Sequence, residues 1–259
     1  MKLEEVIKEY ASIPDISDFK NPLFIGPHPD DIEFGCGALV SKMKEKGATI
    51  HFLVVTDGAA GSADPTMNPK LLANIRKEES IISAKFLNVD TIDFEDLEDG
   101  GTFTSEDVLK KVTPYILKYK PDIVFAPDPR LRSECHHDHI EVGTGVMYAL
   151  QIVGYKEALN RHSIDTSNVT EFPRNIFLAQ YFTDDPNKYI EVSEKNLNDK
   201  ISSLTLHKSQ LSSPESELLI KYFMLKAMKE GEAINTKLGE SFKVIHPIMQ
   251  HVYSDSLKL

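Results

Sequence analysis

One short stretch of the chain places an imidazole beside two carboxylates. The apolar run at 24–26 is followed by the sequence PHPDD at 27–31, so His28, Asp30 and Asp31 stand where a strand should give way to a helix. Imidazole nitrogens and carboxylate oxygens are common ligands of divalent metals, so one interpretation is a metal site. The other is an acidic helix N-terminus, where aspartate is favoured by capping and by the helix dipole. The stretch alone leaves both interpretations open.

A second group of potential ligands follows a later strand. The sequence ECHHDH at 134–139 comes after an apolar run at 122–126 and ends in His139. Ligands of open parallel sheets bind where the carboxyl ends of the strands share one edge. Folding can therefore bring His28, Asp31 and His139 together around one cation. Three protein ligands with one vacant position are typical of catalytic zinc sites.

The ligand types narrow the choice of metal. Two imidazoles and one carboxylate suit zinc, or another divalent transition metal, better than calcium or magnesium. A closed structural zinc site usually contains several cysteines, and this chain has only Cys36 and Cys135. We therefore expect a catalytic rather than a structural site.

The elements that must position these residues alternate along the first half of the chain. After a leading helix at 3–12, β-branched and apolar runs predict strands at 23–26, 49–55, 91–94 and 122–126. Apolar periodicity predicts helices at 35–46, 70–87 and 105–119 and a fourth that ends near residue 153. Such alternation predicts an α/β fold, a Rossmann-like and mostly parallel sheet with helices on both faces.

The second half of the chain has a less regular pattern. Residues 154–174 look irregular, strands are expected at 175–182 and 189–192, and helices at 194–208 and 215–230 are separated by residues 212–214. The last segment, 239–251, fits either an edge strand or an arm. We therefore expect a single domain over 1–259, with a core at about 22–153 and a C-terminal α+β extension at about 154–259.

Composition and charge exclude several classes of protein. The 259 residues are 41% hydrophobic and 27% charged, and no apolar run approaches the ~20 residues of a membrane span. Neither a signal peptide nor a disulfide framework is apparent, so we expect a cytoplasmic protein with no membrane partner. The net charge of -11 opposes binding to nucleic acid.

Several short motifs occur together between residues 23 and 150. They are PHPDD at 27–31, GCG at 35–37, TDG at 56–58, Arg76-x-x-Glu79, KPD at 120–122 and HxDH at 136–139. In their order and spacing the chain resembles the LmbE-like (PIG-L) family of metal-dependent de-N-acetylases. Two positions depart from the family pattern. Ala38 stands where a second glycine is common, and His137, where a proline is usual, adds a spare imidazole beside the ligands.

The resemblance implies an activity and a division of roles. It implies a hydrolase that removes an N-acetyl group from an N-acetylglucosamine-containing small glycoside or conjugate. APDP at 126–129 and HKSQ at 207–210 resemble stretches of bacterial and archaeal members, some of which act on chitin-derived compounds. His28, Asp31 and His139 would hold the zinc ion. Asp30 would be the general base and later the acid.

The resemblance also assigns the remaining polar residues of the second cluster. A protonated His136, oriented by Asp138, would stabilise the negative charge that develops on the amide oxygen. The expected partner is thus a small N-acetylated amino sugar.

Four residues are candidates for binding the substrate. Arg76 either contacts sugar hydroxyls or forms a surface salt bridge with Glu79. Asp57 and Asp96 either contact the sugar or serve turns at strand ends. His251 would reach an active site. In a homo-oligomer this would be the active site of a neighbouring subunit, as in oligomeric relatives that donate a C-terminal histidine.

Two rival functions are compatible with the same residues. One is a deacylase of another small amide, such as a thiol-conjugate or antibiotic precursor. The other is a metal-containing sugar-binding protein without turnover. Asp30 argues against the second rival, because binding alone requires no base outside the metal ligands.

Overall fold

The computed structural model describes residues 3–211 and 214–251 of the chain. Its helices are α1 (Leu3–Tyr10), α2 (Asp31–Glu45), α3 (Pro69–Phe86), α4 (Ser105–Tyr119), α5 (His137–Ile152), α6 (Lys156–Arg161), α7 (Glu194–Leu204) and α8 (Pro214–Glu232). Its strands are β1 (Pro22–Gly26), β2 (His51–Thr56), β3 (Thr91–Leu97), β4 (Ile123–Pro127), β5 (Phe177–Tyr181), β6 (Lys188–Glu191) and β7 (Gly239–Ile245). Short 3-10 helices lie at Ile16–Asp18 and Pro247–Gln250. Within the described ranges, no helix is both long and apolar enough to cross a membrane.

The strands form one seven-stranded sheet in the order β3-β2-β1-β4-β5-β7-β6. The five strands from β3 to β5 run parallel to their neighbours, while β7 is antiparallel to both β5 and β6. This arrangement confirms the predicted α/β fold with a mostly parallel sheet. Because β1 and β4 are adjacent, with Phe24 paired to Phe125, the two predicted ligand clusters follow neighbouring strands.

The helices cover both faces of the sheet, as predicted. Alternate side chains of β1 point to opposite faces: Phe24 packs in one hydrophobic layer with Leu39 of α2, whereas Ile25 packs in the other with Val112 of α4 and Val146 of α5. All five residues of β1 are buried. Because β1 is buried on both faces, it appears in the sequence as a continuous apolar run, as central strands of parallel sheets do.

Three expectations about the elements differ from the structure. The segment 154–174 is not wholly irregular, because α6 occupies Lys156–Arg161. The strand at Gly239–Ile245 is neither an edge strand nor an arm, since it lies between β5 and β6. Helix α2 begins at Asp31 rather than residue 35, which places the two carboxylates of the first cluster at its first turn. Of the expected separator at 212–214, residues 212–213 lie outside the described residues.

Candidate metal centre and active site

The loop after β1 turns sharply into α2 and separates the two neighbouring carboxylates. Asp30 has a φ of 133°, a sparsely populated conformation for a residue with a side chain. The backbone N–H of His28 donates to Asp31 Oδ2 at 2.9 Å, which closes the turn. As a result Asp31 faces His28, whereas Asp30 faces the guanidinium of Arg76 at 3.4 Å.

Three predicted ligands converge at the carboxyl edge of β1 and β4. Nδ1 of His28 lies 3.0 Å from Asp31 Oδ2, and Nε2 of His139 lies 3.3 Å from the same oxygen. One potential ligand atom of each residue lies within 4.8 Å of the others. His28 and Asp31 are buried, and His139 is half-buried at the start of α5. The structure thus brings together the three residues that the sequence pointed to.

The electrostatics of this cluster fit a divalent cation. The imidazole of His28 is surrounded by three carboxylates, with Asp31 at 3.0 Å, Asp138 at 3.1 Å and Asp99 at 3.2 Å. Although burial alone lowers the pKa of His28, its hydrogen bonds to these carboxylates raise it to about 12. So much buried negative charge around one imidazole favours a cation at this position. Imidazole and carboxylate donors suit a transition metal at this position.

The carboxylate of Asp138 contacts His28, a candidate metal ligand, whereas it was expected to orient His136. Asp138 is fully buried in the first turn of α5, and its Oδ2 lies 3.1 Å from Nε2 of His28 and accepts from the N–H of Gly100 at 2.9 Å. Burial alone would raise the pKa of Asp138, but the hydrogen bonds from His28 and Gly100 lower it to about 2. A carboxylate on the second nitrogen of a ligating histidine fixes the orientation and tautomer of its ring. Nδ1 of His28 is therefore the atom free to face a metal.

His136 stands beside the ligands with one nitrogen already engaged. Its ring centroid is 4.6 Å from that of His28 and 5.1 Å from that of His139. The backbone N–H of Asp138 donates to Nδ1 of His136 at 3.3 Å, which leaves the hydrogen of a neutral ring on Nε2. Burial, and then the charge of His28, lower the pKa of His136. The surroundings thus favour a neutral imidazole, in contrast to the protonated form that was expected.

Arg76 is a buried link between loops rather than half of a surface salt bridge. Its Nη1 donates to the carbonyl of Gly58 at 2.9 Å, and its Nη2 donates to the carbonyl of Pro29 at 3.2 Å and lies 3.4 Å from Asp30. Its neighbour Glu79 instead accepts from the backbone and hydroxyl of Ser209 at 2.9 and 2.6 Å. Arg76 therefore ties the loop after β1 to the loop after β2.

Asp30 occupies an environment suited to proton transfer. Burial, together with the neighbouring charge of Asp31, raises the pKa of Asp30 to about 7, although Arg76 opposes the shift. The pKa of Asp31 moves in the other direction, because the histidines His139 and His28 outweigh the effect of burial. Two adjacent carboxylates with opposite pKa shifts are typical of a base and a ligand with separate roles.

The two aspartates considered for sugar binding differ in their surroundings, and Asp57 takes the turn role that was one of its two expected roles. Asp96 is 86% exposed and forms an ion pair with Lys111 at 2.7 Å, so the structure does not bring it to the metal ligands. Asp57 accepts from the N–H groups of Ala59 at 3.0 Å and Asp99 at 3.2 Å, which is a turn role. Asp99 itself reaches His28 and was missed by the sequence analysis. The sequence contains a signal for Asp99, because this residue follows β3 just as the other site residues follow their strands.

A second residue that the sequence analysis missed is Glu134. Its Oε2 lies 3.1 Å from Nδ1 of His139, the nitrogen opposite the one that faces Asp31. The ring of Phe182 stacks on His139 with a centroid distance of 5.9 Å. Glu134 and Phe182 therefore flank His139 on the side away from His28. Only the unusual density of acids and imidazoles at 134–139 pointed to such a role.

Two other histidines stand apart from this centre. His137 has a half-exposed side chain beside Phe103. Among the described residues, two groups could hold a metal ion and neither includes it: His28, Asp31 and His139, and His28, Asp99, His136 and Asp138. His251 is exposed at the end of a 3-10 helix whose Gln250 side chain donates to the carbonyl of Ile176 at 2.8 Å. Ile176 precedes β5, so within its own chain His251 lies at the sheet edge opposite the metal ligands.

The comparisons with known proteins agree with this geometry. The model of the PIG-L family, described as GlcNAc-PI de-N-acetylase, matches residues 23–150. The diacetylchitobiose deacetylase of Thermococcus kodakarensis is 29% identical over 244 residues, which cover 91% of this chain and 87% of that protein. An uncharacterized deacetylase of Escherichia coli, YaiS, is 31% identical over 144 residues, which cover 53% of this chain and 74% of that protein.

A solved structure resembles the whole molecule. The N,N'-diacetylchitobiose deacetylase from Pyrococcus horikoshii, in complex with its inhibitor MPG, superposes with a TM-score of 0.88 at 28% identity. The match covers 100% of this chain and 98% of that one. Together with the motifs and the clustered ligands, these similarities show that the chain belongs to the PIG-L family.

Proposed function

We propose that this chain is a metal-dependent N-deacetylase that acts on an N-acetylglucosamine unit of a small glycoside or conjugate. The observation that carries the proposal is Asp30, a buried carboxylate that stands next to the metal-ligand set but faces Arg76 instead. A protein that only binds a metal and a sugar needs no such group. The bond type is supported by the deacetylase relatives, and the sugar by the diacetylchitobiose deacetylase.

His28, Asp31 and His139 would hold the metal, and we propose zinc because two imidazoles and one carboxylate form its usual catalytic donor set. When bound, such an ion supplies Lewis-acid polarisation of the amide carbonyl and lowers the pKa of water to about 7. The protein supplies the geometry. Asp138 and Glu134 lie 3.1 Å from the nitrogens of His28 and His139 that would not face the metal, and Asp138 is hydrogen-bonded to His28.

Asp30 would transfer the proton, and His136 would stabilise the negative charge that develops on the carbonyl oxygen. Asp30, with its pKa near 7, takes a proton from the attacking water and later delivers it to the leaving nitrogen, so that acetate and a free amine result. The Nε2 hydrogen of His136 is available to donate to the carbonyl oxygen as it becomes negative.

The test is the variant Asp30→Asn. We expect it to retain its metal, measured by elemental analysis, while acetate release falls by about 10²–10⁴-fold. Asp96→Asn is the matched control, because Asp96 is an exposed aspartate paired with Lys111. If Asp30→Asn kept the activity of the wild type, the assigned mechanism would be wrong.

A panel of amides separates the rival functions. Acetate release from N-acetylglucosamine and N,N'-diacetylchitobiose, with no release from simple N-acetylated amino acids, is the expected result. Release from a thiol conjugate or antibiotic precursor, and not from the sugars, would support the other deacylase. Tight sugar binding without any release would support the binding protein.

A further inference from the structure

The sequence HKSQ at 207–210 lies between α7 and α8 and contacts the elements that surround the proposed base. The segment belongs to the second half of the chain, yet three of its side chains each reach a different element of the first half. His207 contacts α2, Ser209 contacts α3 and Gln210 contacts the loop after β2. One short segment therefore joins three elements that are far apart in the sequence.

His207 holds the first turn of α2. Its ring is buried, and its Nε2 lies 3.2 Å from Oε1 of Glu33, the same oxygen that accepts from the hydroxyl of Ser83 at 2.5 Å. Glu33 lies in the first turn of α2, whose N-cap is Asp30. Although burial alone lowers the pKa of His207, the charge and hydrogen bond of Glu33 raise it, and the charge of Asp30 acts in the same direction. The helix start that sets the direction of Asp30 is thus tied to this segment.

Ser209 makes two hydrogen bonds to α3. Its backbone N–H donates to Oε1 of Glu79 at 2.9 Å, and its hydroxyl donates to Oε2 at 2.6 Å. Glu79 is buried and lies three residues after Arg76, about one turn along the same helix. Holding both oxygens of this carboxylate limits the rotation of α3 and with it the direction in which Arg76 points.

Gln210 holds the loop after β2 against Arg76. Its Nε2 donates to the carbonyl of Gly61 at 3.1 Å. A Cβ at Gly61 would stand 2.3 Å from Nη1 of Arg76 and 3.2 Å from Oε1 of Gln210, so the backbone of the loop is packed between these two side chains. Because Arg76 in turn lies 3.4 Å from Asp30, the contact of Gln210 lies two residues away from the proposed base.

We propose that residues 207–210 act as a clamp that positions Asp30 and Arg76 for proton transfer. The clamp acts through α2, α3 and the loop after β2, so its members are positioning residues. This inference rests on the proposed function, because it takes Asp30 as the base of the deacetylation. A segment that only stabilised the fold would not affect kcat more than other surface contacts do.

The experiment measures kcat and KM for acetate release from N-acetylglucosamine and N,N'-diacetylchitobiose by the metal-loaded full chain. Ser209→Ala removes one hydroxyl from an exposed residue, so the fold should persist. We expect kcat to fall about tenfold, with KM and metal content within about twofold of wild type, since misplacing a catalytic group slows the reaction more than it weakens binding. Ser209→Thr keeps the hydroxyl and should restore most of kcat. Thr205→Ala is the matched control, because Thr205 is exposed and its hydroxyl donates to the carbonyl of Ser202 at 2.8 Å.

A double variant with Arg76→Lys separates positioning from general support of the fold. If Ser209 acts through Arg76, adding Ser209→Ala to Arg76→Lys should lower kcat by less than about threefold, because the arginine is already lost. The same tenfold loss in both backgrounds would overturn the clamp. An unchanged kcat in Ser209→Ala alone would overturn it as well.

Hydrogen exchange tests the clamp without turnover. Gln210→Ala should speed the exchange of amide hydrogens at 58–61 by about tenfold, since the loop loses a hydrogen bond that holds it closed. Gln151→Ala is the control, because this side chain donates to the carbonyl of Gln250 instead. Unchanged exchange in Gln210→Ala would refute the clamp. Acetate release from neither sugar by the wild type would instead overturn the proposed function, and hydrogen exchange would still decide whether residues 207–210 hold this loop.

Discussion

Asp138 acts on the metal centre through the ring of His28. It is buried, lies 3.1 Å from Nε2 of that ring and is itself fixed by the N–H of Gly100. We predict that Asp138→Asn weakens metal affinity by about 10–100-fold, because an amide neither favours the required tautomer nor raises the basicity of the ligand as a carboxylate does. Competition with a coloured chelator measures this affinity. Asp96→Asn is the control. If Asp138→Asn bound the metal as tightly as the wild type and this control do, Asp138 would instead orient His136, as first expected.

Arg76 ties together two loops, one of which carries Asp30, the proposed base. Its two Nη atoms donate to the carbonyls of Gly58 and Pro29 at 2.9 and 3.2 Å, and a single ammonium cannot reproduce this fork. We predict that Arg76→Lys lowers kcat by roughly 10²-fold with little change in KM, since Asp30 loses its fixed position. The free energy of unfolding should fall by about 1–3 kcal/mol, measured by urea denaturation.

The control for this variant is Arg161→Lys. Arg161 is exposed and forms an ion pair with Glu157 on the surface of α6, so its replacement should change neither kinetics nor stability. A rise in KM with unchanged kcat in Arg76→Lys would point instead to direct contact with the substrate, one of the two roles that the sequence left open for Arg76.

The residues that the sequence identified share one property: each follows a strand whose pattern was clear. His28, Asp31 and His139 follow β1 and β4, whose buried apolar runs are unmistakable. Asp99 was missed because β3 was expected to end at 94 and instead continues to Leu97. Its pairing with β2 shifts register near Val54 and Thr56, an irregularity that no local pattern encodes.

At the scale of elements, the site depends on how closely α5 approaches the end of β4. Gly143 lies one turn after His139, and a Cβ at this position would stand 2.5 Å from the carbonyl oxygen of Pro127 and 2.8 Å from Cδ of Pro129. We predict that Gly143→Ala pushes the helix away and costs about 1–3 kcal/mol of unfolding free energy. Metal affinity should fall as well, because α5 carries His139 and Asp138.

Thermal denaturation and metal titration measure both effects. Gly154→Ala is the control, since the nearest atom to a Cβ there is Cγ of Arg174 at 3.4 Å, an ordinary contact with a flexible side chain. If Gly143→Ala were as stable as the wild type, the backbone at 127–129 would be able to move aside with no loss of unfolding free energy.

The order of the elements was more predictable than their ends. Alternating strand and helix patterns fixed the parallel half of the sheet, since right-handed crossover units allow few other arrangements. The start of α2 was placed too late, because the strained backbone of Asp30 is a local exception to normal capping. The position of β7 between β5 and β6 depends on pairing between residues far apart in the sequence, from Glu191 with Gly239 to Leu178 with Ile245, which periodicity cannot reveal.

At the scale of the whole molecule, the two halves of the chain meet around the site. The first half carries the candidate metal ligands His28, Asp31 and His139, while Phe182 of the second half stacks on His139. Gln210 donates to the carbonyl of Gly61 at 3.1 Å, so the second half also braces the loop after β2. A metal held by His139 is therefore linked to the packing between the two halves.

Metal removal should consequently destabilise the whole chain. A ligand that binds only the folded state stabilises it by about 2.7 kcal/mol at 100 times its Kd, which for a chain of this size corresponds to roughly 5–10 °C in Tm. We predict that a chelator lowers the Tm of wild type by this amount and that added zinc restores it. In His28→Ala one ligand is missing, so the chelator should have little effect. An equal fall in Tm for both proteins would mean that the stabilising metal is bound elsewhere, and no fall in wild type would contradict a metal held by His28, Asp31 and His139.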